Sequence, residues 1–180
     1  QTNNINNINH TNHINHINQT NHINQTNHTN HTNHINHINK TAIITGASRG
    51  IGAAIAKKLA SCGYNLSLCC RNSSDRLKAL ADELHCAYGI EVLCYTGNVG
   101  DFFFAKDMVT KTISHFGHID VLINNAGISH IGLLSDMTPD EWNNIVAINL
   151  TGVFNFTKLV TPYMVADKCG RILQISSVWG

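Results

Sequence analysis

The stretch TAIITGASRGIGAAIAKKLASCG, residues 41–63, sets a strand, a turn and a helix end to end. TAIIT (41–45) is a short β-rich apolar run, the composition of a buried strand. Gly46 stops it. Ile51, Ile55 and Leu59, four apart, then predict the apolar stripe of a helix that closes at Gly63. Between them, Gly46, Gly50 and Gly52 stand in a GxxxGxG spacing. Glycine admits left-handed backbone and close approach, so such a turn can cradle a pyrophosphate. The helix N-terminus behind it, with its unpaired N–H groups, favours the negative charge. Gly46, Ser48, Arg49, Gly50, Ile51 and Gly52 are therefore candidate cofactor-binding residues.

The same alternation continues downstream. NLSLCC (65–70) reads as a second strand, and Ser73 or Ser74 can cap a helix carrying Leu77, Leu80 and Leu84. EVLCY (91–95) predicts a third strand, followed by a helix through Phe104, Met108, Ile113 and Phe116. IDVLIN (119–124) and RILQIS (171–176) predict the fourth and fifth strands. A long helix after Pro139, with Trp142, Ile145, Ile148 and Asn149, lies between these two. Strands separated by helices of this length form βαβ units, so the fold class is α/β: a Rossmann-type, doubly wound parallel sheet.

The end of the second strand selects the cofactor. An NAD site usually carries Asp or Glu about 20 residues beyond the glycines, to hold the ribose 2′-OH. Here the stretch is LCCRNSSD, with Cys70, Arg71 and Asn72 at that place. A carboxylate would repel a 2′-phosphate, whereas Arg71 together with Arg49 can clamp one. The expected cofactor is NADP(H).

Residues 1–39 have different physics. They parse as thirteen triplets of the form [Gln/Asn/His]-[Thr/Ile]-Asn, without a single Lys, Arg, Asp or Glu. A period of three matches neither helix nor strand, and no sizeable apolar face can offset the ordering entropy, so this leader is expected to be disordered. The codons involved interconvert by single-base changes, as in a translated nine-nucleotide repeat. Eight of the 12 His lie in it; such a tract can hold a transition metal loosely, but no metal site is expected. Residues 40–180 are read as the domain.

All 12 basic and 11 acidic residues fall in that domain, and a net charge of +1 gives no reason to expect a nucleic acid. No uninterrupted apolar run approaches the length of a membrane span. The six Cys (Cys62, Cys69, Cys70, Cys86, Cys94, Cys169) lack a CxxC spacing, and buried, reduced thiols of a cytoplasmic protein are expected.

Four segments stand in one order: TGASRGIG (45–52), NNAG (124–127), INLTGVF (148–154) and GRILQISSVWG (170–180). In that order and spacing the chain, from Lys40 to Gly180, resembles the short-chain dehydrogenase/reductases, and within them the 3-oxoacyl-acyl-carrier-protein reductase group. The resemblance implies NADPH-dependent reduction of a small-molecule or carrier-bound carbonyl. It implies that Asn124, Ala126 and Gly127 lie under the adenosine ribose and its neighbours, and that Asn98 and Val99 meet the adenine, with Asn98 replacing the family's usual Asp. Asn149 matches the residue that holds a water in a proton relay, and Ser177 the donor to the substrate carbonyl. The family assembles as tetramers. ISSVWG, with Trp179, and GISHIGLLSDMTPDEW (127–142) also resemble the branch that reduces the 5-aminopentanone group on elongation factor P. A non-catalytic NADP-binding module is the remaining alternative.

The family's YxxxK motif, whose Tyr acts as general acid with a Lys beside it, is not found. None of Tyr64, Tyr88, Tyr95 or Tyr163 begins it. A phenol that titrates at about 10 needs such a cation to exchange a proton near neutrality. The chain is therefore expected to be a fragment, starting near Lys40 and continuing past Gly180, without turnover of its own. In the family's strand order, 3-2-1-4-5-6-7, RILQIS would then be an open, aggregation-prone edge.

Overall fold

A strand with no polar face organises the sheet. In the computed structural model, which describes residues 39–177, β1 (Thr41–Ile44) is buried at every position. It is followed by α1 (Gly50–Ser61), β2 (Asn65–Cys70), α2 (Ser74–Tyr88), β3 (Val92–Thr96), α3 (Phe102–Phe116) and β4 (Val121–Asn124). Then come α4 (Pro139–Val146), a π-helical turn (Ala147–Thr151), α5 (Gly152–Ala166) and β5 (Arg171–Gln174). The five strands form one parallel sheet in the order β3-β2-β1-β4-β5. The expected α/β class and the expected central order are those observed.

Alternation along the strands feeds two cores. Ala42, Ile44, Leu66 and Leu68 face α1 and α2, where Ala56, Leu77 and Leu84 close the layer. Ile43, Cys69 and Leu122 face α3 and α5, against Met108, Val109, Phe156 and Val160. Burying each large aliphatic or aromatic side chain stabilises the fold by roughly 1.5–3 kcal/mol.

The inward face of α1 differs from the expected stripe. Gly52, Ala56 and Ala60 are buried, whereas Ile55 and Leu59 pack at the flank and Ile51 is 61 % exposed. Small residues let the helix lie close on the sheet, and this close approach, not side-chain size, selects the buried face. Ser73 occupies the N-cap of α2 but makes no side-chain cap. Asp101 caps α3, accepting from Phe103 N at 2.8 Å. Gly89 and Gly117 end α2 and α3 in left-handed backbone.

The long helix expected after Pro139 is continued through a π-helical turn to Ala166. Pro139–Ala166 runs for 28 residues, a length and composition that a membrane span shares with the core helix of a packed domain. Its inner face, including Phe156, Val160 and Met164, packs into the second core. Its start is a reciprocal cap: Glu141 N donates to Thr138 Oγ1, while Glu141 Oε2 accepts from Thr138 N and Oγ1, each at 2.8 Å. Those bonds hold the Glu141 carboxyl below its ordinary range. The cap therefore contributes at neutral pH and is lost as pH falls through that lowered value.

β5 pairs only with β4 among the described residues and is exposed at all four positions. It ends at Gln174, two residues short of the expected run. At the opposite end of the sheet, Thr41 N donates to Asp120 Oδ2 at 2.7 Å, and His118 Nε2 lies 2.9 Å from Asn39 O. The expected disorder of the leader concerns residues outside those described, apart from the exposed Asn39.

The cysteines divide evenly, correcting the expectation of mostly buried thiols: Cys62, Cys86 and Cys169 are exposed, and all six are free. Cys62 and Cys86 sit at the ends of α1 and α2 and Cys169 in the loop before β5, among mostly exposed neighbours. Burial pushes the Cys69 thiol up to about 12 and that of Cys94 up to about 11. Native-state alkylation followed by mass spectrometry should label Cys62, Cys86 and Cys169 and leave Cys69 unmodified until the chain is unfolded.

Candidate functional site

The sheet order reverses direction between β1 and β4, so the chain leaves their carboxyl ends toward opposite sides and opens a crevice. A compact hydrogen-bond lock spans the divergence. Thr45 Oγ1 accepts from Asn125 N and Ala126 N, each at 3.0 Å. Asn125 Nδ2 donates back to Thr45 O at 2.9 Å and Gly46 O at 3.1 Å. Two of the glycines serve this junction. Gly46 has φ +66°, and a Cβ there would come within 2.8 Å of Ala126 Cα. A Cβ on Gly52 would come within 2.5 Å of Asn125 Nδ2 and of Gly46 O. Gly52 therefore packs the first turn of α1 onto the loop, behind the residues that line the crevice. Gly50, with φ +58° and open space beside it, is the glycine that turns the loop toward the cleft.

The resulting cleft has a volume of about 520 Å³. Among the expected cofactor residues, Gly46, Ser48, Arg49, Gly50, Ile51, Arg71, Asn98, Val99, Ala126 and Gly127 line it. Exposed Ile51, which fails as a core residue, is one of its walls. The lining holds two arginines and no carboxylate. Neither Arg49 nor Arg71 forms an ion pair among the described residues. The geometry fits a dinucleotide: left-handed glycine backbone at a helix N-terminus for a pyrophosphate, and uncompensated cations for further anionic charge.

The far wall is braced by Asn98, which the sequence singled out, and by Asn155, which it did not. Asn98 Oδ1 accepts from Gly100 N at 3.0 Å, so its acceptor shapes the loop from within. Asn155, buried on α5, donates to Val99 O and Gly100 O, both at 3.2 Å. An Asn beside the inward positions Gly152 and Phe156 of an apolar helix was the available signal. Asn125 likewise stands in the quoted NNAG, yet its neighbour Asn124 was the residue assigned.

A second, more open cleft of about 890 Å³ shares Arg49, Ala126, Gly127 and Ile128 with the first. Asn124 lines this one instead, and its Nδ2 donates to Thr157 Oγ1 at 3.2 Å. Asn149 and Ser177 lie here together, with Ser176 between Ser177 and the end of β5. Asn149 sits in the π-helical turn; such turns frequently mark functional sites. Its Oδ1 accepts from Ile128 N at 2.9 Å and its Nδ2 donates to Ile128 O at 2.8 Å. The side chain thus anchors the Ile128 backbone. No Tyr and no Lys lines either cleft. Trp179 lies outside the described residues.

Known proteins share this arrangement. Residues 40–180 match the family described as short chain dehydrogenase. The chain is 41 % identical over 141 residues to a 3-oxoacyl-[acyl-carrier-protein] reductase of Staphylococcus epidermidis, covering 78 % of this chain and 57 % of that protein. Against D-beta-hydroxybutyrate dehydrogenase of Cupriavidus necator it is 38 % identical, covering 78 % of this chain and 54 % of the relative. Among solved structures, a metagenomic short-chain oxidoreductase in complex with NADP superposes with TM-score 0.74 at 37 % identity, over 77 % of this chain and 62 % of that one. An alcohol dehydrogenase from Thermococcus sibiricus complexed with 5-hydroxy-NADP gives 0.71 at 36 % identity, over 75 % and 57 %. The chain thus spans little more than half the length of these relatives.

Replacing Asn125 by Ala removes the side-chain amide that donates two of the lock's four hydrogen bonds, while the carbonyls of Thr45 and Gly46 stay in place. Denaturant unfolding should show a loss of about 1–3 kcal/mol, against no more than about 0.5 kcal/mol for Asn72→Ala at the cleft mouth.

Proposed function

Because the chain belongs to the short-chain dehydrogenase family, we propose that it supplies the cofactor-binding part of an NADPH-dependent carbonyl reductase that converts a ketone to a secondary alcohol. The observation that carries the reading is the cleft lining: Arg49 and Arg71 without a carboxylate on either cation. The reductase relatives support a 3-oxoacyl group on an acyl carrier as the substrate, and the NADP-bound neighbours support the phosphorylated cofactor.

Each residue then has a stated task. Gly46, Ser48 and Gly50 offer backbone and hydroxyl donors to the pyrophosphate at the start of α1. Asn98, Val99, Ala126 and Gly127 bound the adenosine; the small size of Ala126 and Gly127 keeps the space clear. Arg49 and Arg71 bind the 2′-phosphate by charge-assisted hydrogen bonds. When bound, the nicotinamide supplies hydride to the substrate carbonyl carbon. Ser177 donates a hydrogen bond to the carbonyl oxygen, where negative charge develops. Asn149 fixes Ile128, shared by both clefts, and so sets the floor between cofactor and substrate. The proton for the alcohol needs a general acid that no residue of these clefts provides. The reading extends to a cytoplasmic homotetramer, with exposed Leu150 of the π-helical turn and Phe154 and Val165 of α5 as apolar surface for helix packing.

Two measurements test the proposal. Calorimetric titration should give an NADPH affinity that falls about tenfold or more for Arg49→Ala or Arg71→Ala, with NADH binding little changed. Equal weakening of both cofactors would exclude the clamp. In the second, the purified 180-residue chain mixed with NADPH and a 3-oxoacyl thioester should show no loss of nicotinamide absorbance. Steady reduction would mean that another group delivers the proton.

A further inference from the structure

Arg71 follows the last residue of β2, and its guanidinium does not stand alone at the cleft mouth. Its Nη1 donates to Oδ1 of Asn144 on α4 at 3.5 Å, a long contact bridging two elements 73 residues apart in the chain. Both side chains are exposed. Asn144 itself has little freedom of position. The Thr138–Glu141 cap sets the first turn of α4. Just beyond Asn144, the carbonyl of Ala147 presses against Gly100, where a Cβ would come within 2.7 Å of it. One turn after Asn144, Ile148 is already part of the cleft wall.

The choice of an amide at this place has electrostatic meaning. A carboxylate would orient Arg71 more strongly, but it would cancel the cation and repel an incoming phosphate. A neutral amide carbonyl orients the guanidinium without consuming its charge. It also takes only one of several N–H donors, leaving the others to a ligand. Resting on the NADP reading above, we propose that Asn144 is a positioning residue: it holds the Arg71 guanidinium across the mouth of the adenosine side of the cleft, so that a ribose 2′-phosphate meets a cation already oriented.

Calorimetry of the 180-residue chain with 2′,5′-ADP and with 5′-AMP tests this without involving the nicotinamide half of the site. The unmodified chain should prefer 2′,5′-ADP. Asn144→Ala should weaken 2′,5′-ADP about three- to tenfold and leave 5′-AMP unchanged. Asn144→Asp should weaken it further, and Asn144→Gln, which keeps the carbonyl, should restore part of the loss. In an Arg71→Ala background, Asn144→Ala should have no additional effect. If the unmodified chain shows no preference for 2′,5′-ADP, the NADP reading falls, and this inference with it. If Arg71→Ala abolishes the preference but Asn144→Ala does not change it, the NADP reading stands and the role of Asn144 is overturned. Equal weakening of both nucleotides, or an undiminished effect of Asn144→Ala without Arg71, also overturns it, since Asn144 would then act on the adenosine or on the fold.

Discussion

The lock between Thr45 and Asn125 is the constraint on which the site depends. β1 and β4 are hydrogen-bonded neighbours along their length, but the chain must leave their carboxyl ends in opposite directions. One hydroxyl accepting two backbone N–H groups, and one amide donating to two carbonyls, join the ends at the point of divergence. All these groups are buried or partly buried, where an unmade hydrogen bond costs more than a made one contributes. The phosphate-type loop, the start of α1 and the NNAG segment therefore move as one body. Gly46 and Gly52 are the positions where a side chain would force that body apart.

Around this body the two clefts share a wall and differ in electrostatics. Arg49 lines both; the first adds Arg71, and the second gathers hydroxyls and amides around Asn149 and Ser177. The long helical run from Pro139 to Ala166 serves both. Ile148 closes the first cleft, Asn149 anchors Ile128 between the two, and Asn155 holds the loop that carries Val99. A π turn at Ala147–Thr151 shifts the register of the helix at the place where these tasks change over.

Much of this was legible in the sequence, for reasons that can be named. A β-branched apolar run before a glycine turn can only be a covered strand, and the spacing of strands and helices leaves no fold but a parallel α/β sheet. The glycine spacing and the missing carboxylate after β2 carried the cofactor reading. Other inferences failed where residue type and position part company. Ile51, Ile55 and Leu59 formed the more hydrophobic stripe of α1, yet close packing on the sheet selected Gly52, Ala56 and Ala60. Asn125, which the sequence reading passed over beside Asn124, proved to be the residue of the lock. Cys62, Cys86 and Cys169 came out exposed because they stand at the ends of two helices and in a loop, outside both cores.

By itself, the sequence determined the element order, the fold class, the chemistry of the glycine loop and the absence of a Tyr-x-x-x-Lys among these 180 residues. These follow from local spacing and from residue types, which no tertiary contact can change. Tertiary structure alone decided that Thr45 meets Asn125, that Asn155 reaches Val99, and that Asn144 stands over Arg71. Those partners are about 55 to 80 positions apart in sequence, and only the stacking of strands from the centre outward brings their polar atoms within hydrogen-bond distance.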